Sequence, residues 1–315
     1  MQDETFLYST DMQDEIRVFV RELEDELKHL VPINKIAPVD IRRQQEMGEG
    51  RYVAPLLSDH AIERQIPCSQ GHVPVRAFIP EDQIDGVYMH IHGGGWVIGG
   101  VHHSDKELEE IRDNCNAAVI SVDYRLAPEN KYPSAQEDCE AVALWIIEHA
   151  GKEFGTDRIV IGGESAGAHL SAATMVRLRD KHGYTGFAGA NMLYGVFDLS
   201  MTPSCRLWGD RWLVLSTPIM QWFINNYLND GDDRTDPDIS PLYAALHDLP
   251  PALFTVGTAD PLLDDTLFMH SRWFASGNVS TLNVYPGAPH GFEKHPTQLA
   301  EQVRRRIIQF VKECF

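Results

Sequence analysis

Residues 158–176 read RIVIGGESAGAHLSAATMV: an apolar run, a tight GESAG turn, and then apolar residues at helical spacing. A strand that turns sharply into a helix holds the central serine in a strained, exposed position, and the flanking glycines leave room for neighbouring chains. The turn also places Ser165 at a helix N-terminus, where free amide N–H groups favour developing negative charge. GxSxG alone is moderately specific, because small residues occur in many tight turns. In this strand–turn–helix setting the pattern predicts Ser165 as a nucleophile.

The rest of the chain alternates in the same way between short apolar runs and amphipathic stretches. One helical stretch follows Pro133 and ends near Gly151. Strands that alternate with helices favour a largely parallel sheet covered by helices on both faces. The sequence therefore predicts an α/β fold. Its strand candidates are Val75–Ile79, Val87–Ile91, Ala117–Val122, Arg158–Ile161, Asn191–Tyr194, Ala252–Val256 and Thr281–Tyr285.

A second glycine-rich stretch, HGGG at residues 92–95, directly follows one of these strand candidates. Three consecutive glycines allow backbone geometries that other residues avoid, so their amides can point into a cavity. Beside a nucleophile such amides form an oxyanion hole, and one donor is worth roughly 3 kcal/mol of transition-state stabilisation. We expect the donors to be Gly93, Gly94 and the first helical amide, Ala166. A merely flexible glycine loop is the alternative.

Two residues of the C-terminal third are expected to complete a catalytic triad. Asp260 and His290 each follow a strand candidate. The chain order serine, aspartate, histidine is the one known for hydrolases built on such a turn. The histidine would take the serine proton, and the aspartate would fix the tautomer of the histidine. Asp264 and Asp265 are alternatives for the acid, although both are expected to lie in the following helix.

Four histidines lie near the glycine loop in sequence, and they raise the question of a metal. They are His90, His92, His102 and His103. A zinc site usually needs a further ligand at a characteristic spacing, and the sequence has neither HExxH nor a Cys/His pattern. We therefore expect no metal and no organic cofactor. His92 is expected to brace the glycine loop.

Two segments stand outside the alternation of strands and helices. Apolar residues from Ile16 to Leu30 recur at three- and four-residue steps until Pro32, which predicts a helix docked on later residues. Residues 204–227 contain no strand candidate but hold three of the six tryptophans. This second segment is either a buried helical insertion or a lid over an apolar pocket. The candidate substrate-binding residues are Trp96, Trp208 and Trp212, with a core position as the alternative for Trp96.

Composition and charge narrow the class of partners. The formal net charge of −19, from 27 basic and 46 acidic side chains, argues against nucleic acid and against an anionic membrane surface. No apolar run approaches the roughly 20 residues of a membrane span. The acidic start Met1–Glu4 does not resemble a secretory leader. Five scattered cysteines without a CxxC pair suit reduced thiols, so we expect a cytoplasmic protein.

Four motifs together closely resemble the bacterial hormone-sensitive-lipase family. They are HGGG at 92–95, DYRLAPE at 123–129, GESAG at 163–167 and DPLLDD at 260–265. The resemblance covers roughly residues 60–315. It implies an α/β-hydrolase fold with an eight-stranded, mostly parallel sheet and a helical cap, and it implies Ser165, Asp260 and His290 as the triad. Two departures occur: Glu164 stands where the family often has Asp, and Ala168-His169 where Gly-Asn is common.

The resemblance also implies esterase activity on short acyl chains, with a small-molecule ester as substrate. We expect residues 1–55 to form an N-terminal cap segment and residues 56–315 the catalytic domain, with a cap insertion at about 200–235. An amidase or peptidase would share the machinery, a lipase would require an oil–water interface, and a small-molecule receptor on this fold would lack catalytic residues. A homodimer through an exposed edge strand near the C-terminal end is left open.

Overall fold

One mixed sheet runs through the residues that this computed structural model describes, 10–68 and 71–315. Its spatial order is β1-β2-β4-β3-β5-β6-β7-β8, and β2 is antiparallel to both β1 and β4. All other pairings are parallel. The predicted eight-stranded, mostly parallel sheet is confirmed. The strands are β1 (Ile62–Cys68), β2 (Gly71–Phe78), β3 (Gly86–Ile91), β4 (Ala117–Val122), β5 (Ile159–Glu164), β6 (Gly189–Leu193), β7 (Ala252–Ala259) and β8 (Ser280–Pro289).

Helices cover both faces of this sheet. Successive side chains of β3 serve opposite faces: Val87 and Met89 belong to one buried cluster, and Tyr88 belongs to the other. Because both faces are covered, β3, β4 and β5 are buried along their whole length. The helices are α1 (Thr10–Leu27), α2 (Pro38–Met47), α3 (Asp105–Cys115), α4 (Ser134–Glu153), α5 (Ala166–His182), α6 (Pro203–Leu207), α7 (Thr217–Tyr227), α8 (Leu263–Ala275) and α9 (Gln298–Cys314).

The strands β2 to β8 each overlap a predicted strand, whereas the sequence does not predict β1. Of the residues of β1 only Ile66 is buried, and Pro67 follows it. Proline and polar side chains are tolerated there because β1 is an edge strand whose ladder partner is β2. Such a strand lacks the apolar run that marks a buried parallel strand.

The N-terminal helix docks onto the later part of the chain, as predicted. Ile16 of α1 is buried in a cluster that contains Tyr285 and Ala288 of β8, and the rings of Phe19 and His295 lie 4.4 Å apart. Among the described residues no helix combines the length and the apolar composition needed to cross a membrane. The expectation about a secretory leader concerns Met1–Glu4, which lies outside the described residues.

Candidate active site

Ser165 lies at the sharp turn between β5 and α5. Its backbone adopts φ 56° and ψ −116°, a conformation that residues with side chains rarely take, and its amide donates to the Leu193 carbonyl at 2.9 Å. A Cβ added at Gly163 or Gly167 would overlap the carbonyl oxygen of Ile91. The two flanking glycines are therefore required for the close approach of β3 to this turn, and the strained serine is held by the packing around it.

The structure brings the three predicted triad residues together. His290, at the end of β8, places Nε2 3.0 Å from Ser165 Oγ and Nδ1 2.8 Å from Asp260 Oδ2. A carboxylate only accepts, so Nδ1 carries the proton and Nε2 is left to accept from the serine hydroxyl. Asp260 also accepts the Leu262 amide at 2.9 Å, which fixes its orientation in the loop after β7. All three side chains are buried.

The two alternative acids are engaged elsewhere. Asp264 accepts the Ser204 amide, and Asp265 accepts the amides of Phe197 and Asp198 at 2.7 and 2.9 Å. Burial raises the pKa of Asp265 to about 7 although those hydrogen bonds oppose the shift. Both residues lie in α8, as expected, where they hold the chain that follows β6.

The glycine loop lies directly against the serine turn. A Cβ added at Gly93 would lie 2.9 Å from the Glu164 carbonyl oxygen and 3.5 Å from Ser165 Cβ, and Gly94 has a φ of 108°. Ala166 is the first residue of α5, so its amide has no helical acceptor. Gly93, Gly94 and Ser165 line one cavity. The backbone therefore can present several amides to a group that is bound to Ser165.

His92 braces this loop, as predicted. Its Nδ1 donates to the Gly93 carbonyl at 2.7 Å, and its ring stacks on Tyr124 with centroids 4.2 Å apart. The Tyr124 hydroxyl donates to the His92 carbonyl at 2.9 Å. Burial lowers the pKa of His92 to about 3, so the ring is neutral at neutral pH. The loop is thus held by uncharged contacts with the His92 ring, which itself also lines the cavity.

Glu164, the residue before the nucleophile, is held in a buried ionic network. Its carboxylate accepts from Lys294 Nζ at 3.0 Å and from His90 Nε2 at 3.1 Å, and His90 Nδ1 lies 2.8 Å from Ser121 Oγ. Burial alone would raise the pKa of Glu164, but Lys294 and His90 outweigh it and hold that pKa well below its usual range. The carboxylate therefore stays charged and ties the serine turn to the segment after His290.

The cavity above Ser165 has a volume of about 580 Å³. The glycine loop, Ser165 and His290 form part of its lining. The segment after α2 contributes a wall that includes Arg51, Tyr52 and Leu56, and the predicted cap insertion contributes Val214, Leu215 and Phe223. The segment after α2 and the stretch from Val214 to Phe223 therefore meet over the nucleophile.

The three candidate substrate-binding tryptophans do not line this cavity. Trp96 is fully buried, stacks on Tyr227 at 4.4 Å and donates Nε1 to His169 Nδ1 at 3.0 Å. The substrate-binding prediction for Trp96 is thus wrong, and the core alternative is correct. Trp208 and Trp212 are half-buried and donate to the carbonyls of Arg211 and Val214 within their own loop. The Trp208 ring lies against Arg211, and the Trp212 ring packs against the main core and Arg51.

His169 explains one departure from the family pattern. It accepts from Trp96 at Nδ1 and donates Nε2 to the Ile239 carbonyl at 2.8 Å. Burial lowers the pKa of His169 to about 4, so the ring is neutral at neutral pH. Its two hydrogen bonds link α5 to Trp96, which directly follows the glycine loop, and to Ile239.

Three further cavity residues are not singled out by the sequence: Arg51, Tyr52 and Lys294. The Arg51 guanidinium lies 5.9 Å from the Tyr52 ring centre and 5.8 Å from that of Trp212, and burial lowers the pKa of Arg51. Arg51 and Tyr52 follow α2 in an irregular polar stretch that carries no periodic signal. Of the three, only Lys294 could be expected near the site from the sequence, because it lies four residues after His290.

A buried Ser–His–Asp arrangement on this sheet defines the α/β-hydrolase class. A family model described as the α/β-hydrolase fold matches residues 88–294. The chain belongs to the α/β-hydrolase family, in its bacterial hormone-sensitive-lipase group.

Similar proteins include enzymes from several organisms. An acetyl esterase of Salmonella schwarzengrund (strain CVM19633) is 31% identical over 264 residues, which cover 81% of this chain and 80% of the relative. The carboxylic ester hydrolase LipN of Mycobacterium tuberculosis is 35% identical over 247 residues, which cover 76% of this chain and 65% of the relative. An esterase structure from Pyrobaculum calidifontis superposes with a TM-score of 0.84 at 26% identity, covering 94% of this chain and 97% of that one. The structure of a hormone-sensitive lipase from a metagenome library superposes with a TM-score of 0.82 at 26% identity, covering 95% of this chain and 98% of that one.

Proposed function

We propose that this chain is a serine carboxylesterase that hydrolyses short-chain acyl esters through an acyl-enzyme. The observation that carries the proposal is the contact of Ser165 Oγ with His290 Nε2 at 3.0 Å, in a cavity that the glycine loop also lines. Relatives named as esterases support the same reaction class.

Acylation begins when Ser165 Oγ attacks the ester carbonyl carbon and His290 Nε2 takes the hydroxyl proton. Negative charge then develops on the carbonyl oxygen, and the amides of Gly93, Gly94 and Ala166 stabilise it. Asp260 stabilises the imidazolium that His290 becomes. The tetrahedral intermediate collapses, the alkoxide leaves with the proton from His290, and the acyl group stays on Ser165.

Deacylation repeats these steps with water as the nucleophile. His290 Nε2 takes a proton from the water, the oxygen attacks the acyl carbon, and Ser165 leaves with the proton. All groups for both steps come from the side chains and backbone of the chain, so the proposed reaction uses neither a metal nor an organic cofactor.

The preference for short acyl chains is supported by the cap and by relatives named acetyl esterase. Phe223 of α7 lines the cavity, and a Cβ added at Gly95 would overlap its ring. Phe223 therefore packs directly on the glycine loop and narrows the cavity beside the proposed oxyanion hole. A long acyl chain would have to displace this ring or extend out of the cavity into solvent.

A p-nitrophenyl ester series from acetate to long chains tests the proposed function. We expect kcat/KM to be highest for the short esters and to fall with chain length, and we expect matched p-nitroanilides to react far more slowly because an amine is a worse leaving group. Equal or faster anilide turnover would favour the amidase alternative. Activity that appears only above the solubility limit of the ester would favour a lipase, and saturable binding without turnover would favour a receptor.

Replacing Gly94 by Ala is expected to lower kcat/KM by about 10²–10³-fold, the usual cost of losing an oxyanion donor. The added Cβ would overlap the Ile98 carbonyl, and a φ of 108° disfavours any side chain, so the amide must shift. Steady-state hydrolysis of p-nitrophenyl acetate measures the loss. Gly277→Ala is the matched control, because φ there is 90° but no atom lies within 4 Å. A fully active Gly94→Ala protein would exclude this amide as a donor.

We also propose residues 1–55 and about 200–235 as the cap, since both segments contribute to the cavity wall.

A cytoplasmic location is supported by five free cysteine thiols. A homodimer is supported only by the position of β8 at an edge of the sheet. Sedimentation velocity at micromolar concentration distinguishes the dimer from the monomer.

A further inference from the structure

A cluster of two imidazoles and one carboxylate lies at the edge of the cavity, away from Ser165 and its partners. His102 and His103 belong to a 3-10 turn, Val101–Ser104, and Glu46 lies near the end of α2. The His102 Nε2 atom is 3.0 Å from both oxygens of Glu46, and the His103 Nε2 atom is 3.1 Å from Oε1. One ligand atom from each residue lies within 4.8 Å of the other two.

Two of the three separations, which are also hydrogen-bond distances between imidazole and carboxylate, come close to the spacing of ligand atoms around a small divalent ion, and the third is within 4.8 Å. A tetrahedral zinc ion with bonds of 2.0–2.1 Å keeps its ligand atoms about 3.3 Å apart. The two nitrogen–oxygen separations of 3.0 and 3.1 Å need to open only by a few tenths of an ångström to reach that value. The Glu46 side chain is half-exposed, so solvent can reach the cluster and supply a fourth ligand, and imidazoles favour transition metals over Mg²⁺ or Ca²⁺.

The sequence alone argues against a metal here because two neighbouring histidines need another ligand. The structure supplies it from Glu46, which lies 56 residues before His102 in the chain. His90 and His92, the other two histidines of the original set, are buried and engaged by Glu164 and Gly93. The ligand set is therefore different from any that the sequence spacing suggests.

We propose that Glu46, His102 and His103 bind one divalent transition-metal ion, with Zn²⁺ as the ion of best fit. The ion joins α2, in the N-terminal segment, to the turn that follows the glycine loop. Beside it, Gln45 Oε1 accepts the Gly99 amide at 3.0 Å, and Gln45, Gly99 and His103 all line the catalytic cavity. A bound ion therefore fastens one wall of the cavity to the catalytic domain. The proposal is independent of the esterase assignment.

Isothermal titration of metal-stripped, tag-free protein with zinc chloride tests the site. We expect one zinc per chain at micromolar concentration, and at least about tenfold weaker binding in Glu46→Gln, His102→Gln and His103→Gln. His182→Gln is the matched control, since His182 pairs with Glu140 at 2.8 Å but forms no metal-ligand cluster with a second histidine among the described residues. Binding that persists unchanged in all three site variants, or binding only at millimolar zinc, would overturn the proposal.

Hydrogen exchange provides a readout that does not depend on turnover. In the wild type, zinc is expected to slow amide exchange in residues 38–47 of α2, because the ion ties that helix to the 3-10 turn. The Glu46→Gln protein should exchange at the same rate with and without zinc. Unchanged exchange in the zinc-loaded wild type would show that the ion does not join the two segments.

Discussion

Replacing Ser165 by Ala is expected to lower kcat for p-nitrophenyl acetate on the order of 10⁶-fold, the loss seen when a serine nucleophile is removed from a complete triad. The remaining donors of the glycine loop still bind the ester, but no oxygen is left for His290 to activate. Alanine fits the space of the serine, and the turn is held by the glycines at 163 and 167. The fold should therefore survive, and circular dichroism with thermal unfolding checks this.

Ser171→Ala is the control for this loss. Ser171 is fully buried on the same helix, and its hydroxyl donates to the Gly167 carbonyl at 2.8 Å rather than to His290. Its removal should change stability slightly and leave kcat within a few-fold of the wild type. A folded Ser165→Ala protein with wild-type turnover would show that another residue is the nucleophile, and would end the proposed mechanism.

The second large effect is expected for Asp260→Asn, which should lower kcat by about 10⁴-fold at neutral pH. The carboxylate accepts the Nδ1 proton of His290 at 2.8 Å and thereby leaves Nε2 free to take the serine proton. An amide NH₂ in its place would favour the opposite tautomer and would not stabilise the imidazolium. The Asn oxygen still accepts the Leu262 amide, so the loop is preserved.

Asp264→Asn tests whether Asp264, one of the alternatives that the sequence allows, rather than Asp260 is the acid of the triad. Asp264 accepts the Ser204 amide and does not contact His290 among the described residues, so its replacement should cost stability more than kcat. Stopped-flow acylation rates at saturating ester measure both variants. A larger loss in Asp264→Asn than in Asp260→Asn would assign the acid role to Asp264.

Much of the fold follows from patterns within short stretches of the chain. The strands β3 to β7 are predicted because they are buried over most of their length, and a strand buried on both faces must be apolar. Most residues of the edge strand β8 are not buried, so burial does not account for its prediction. Ser165, Asp260 and His290 are also predicted from the sequence, because each follows a predicted strand. Their order along the chain is the one expected when the nucleophile lies on such a turn. The edge strand β1 escapes prediction because one buried residue, Ile66, is enough to seat it.

The residues that line the cavity could not be predicted from patterns within short stretches of the chain. Trp96 lies beside the glycine loop in sequence, yet its ring points away from the cavity and stacks on Tyr227. Arg51 and Phe223 share the cavity although the chain between them contains most of the sheet. Nothing in the local spacing distinguishes a residue of the wall from a residue of the core.

Local patterns in the sequence are enough to predict the strands β2 to β8, the serine turn and the order of the three proposed catalytic residues. These depend on strand burial, helix periodicity and turn chemistry, which act between neighbours in the chain. The tertiary structure is needed to show which side chains line the cavity and that Glu46 meets His102 and His103. Those contacts join segments that are distant in sequence, and they depend on how α2, the segment after it and residues 214–223 pack against the rest of the chain.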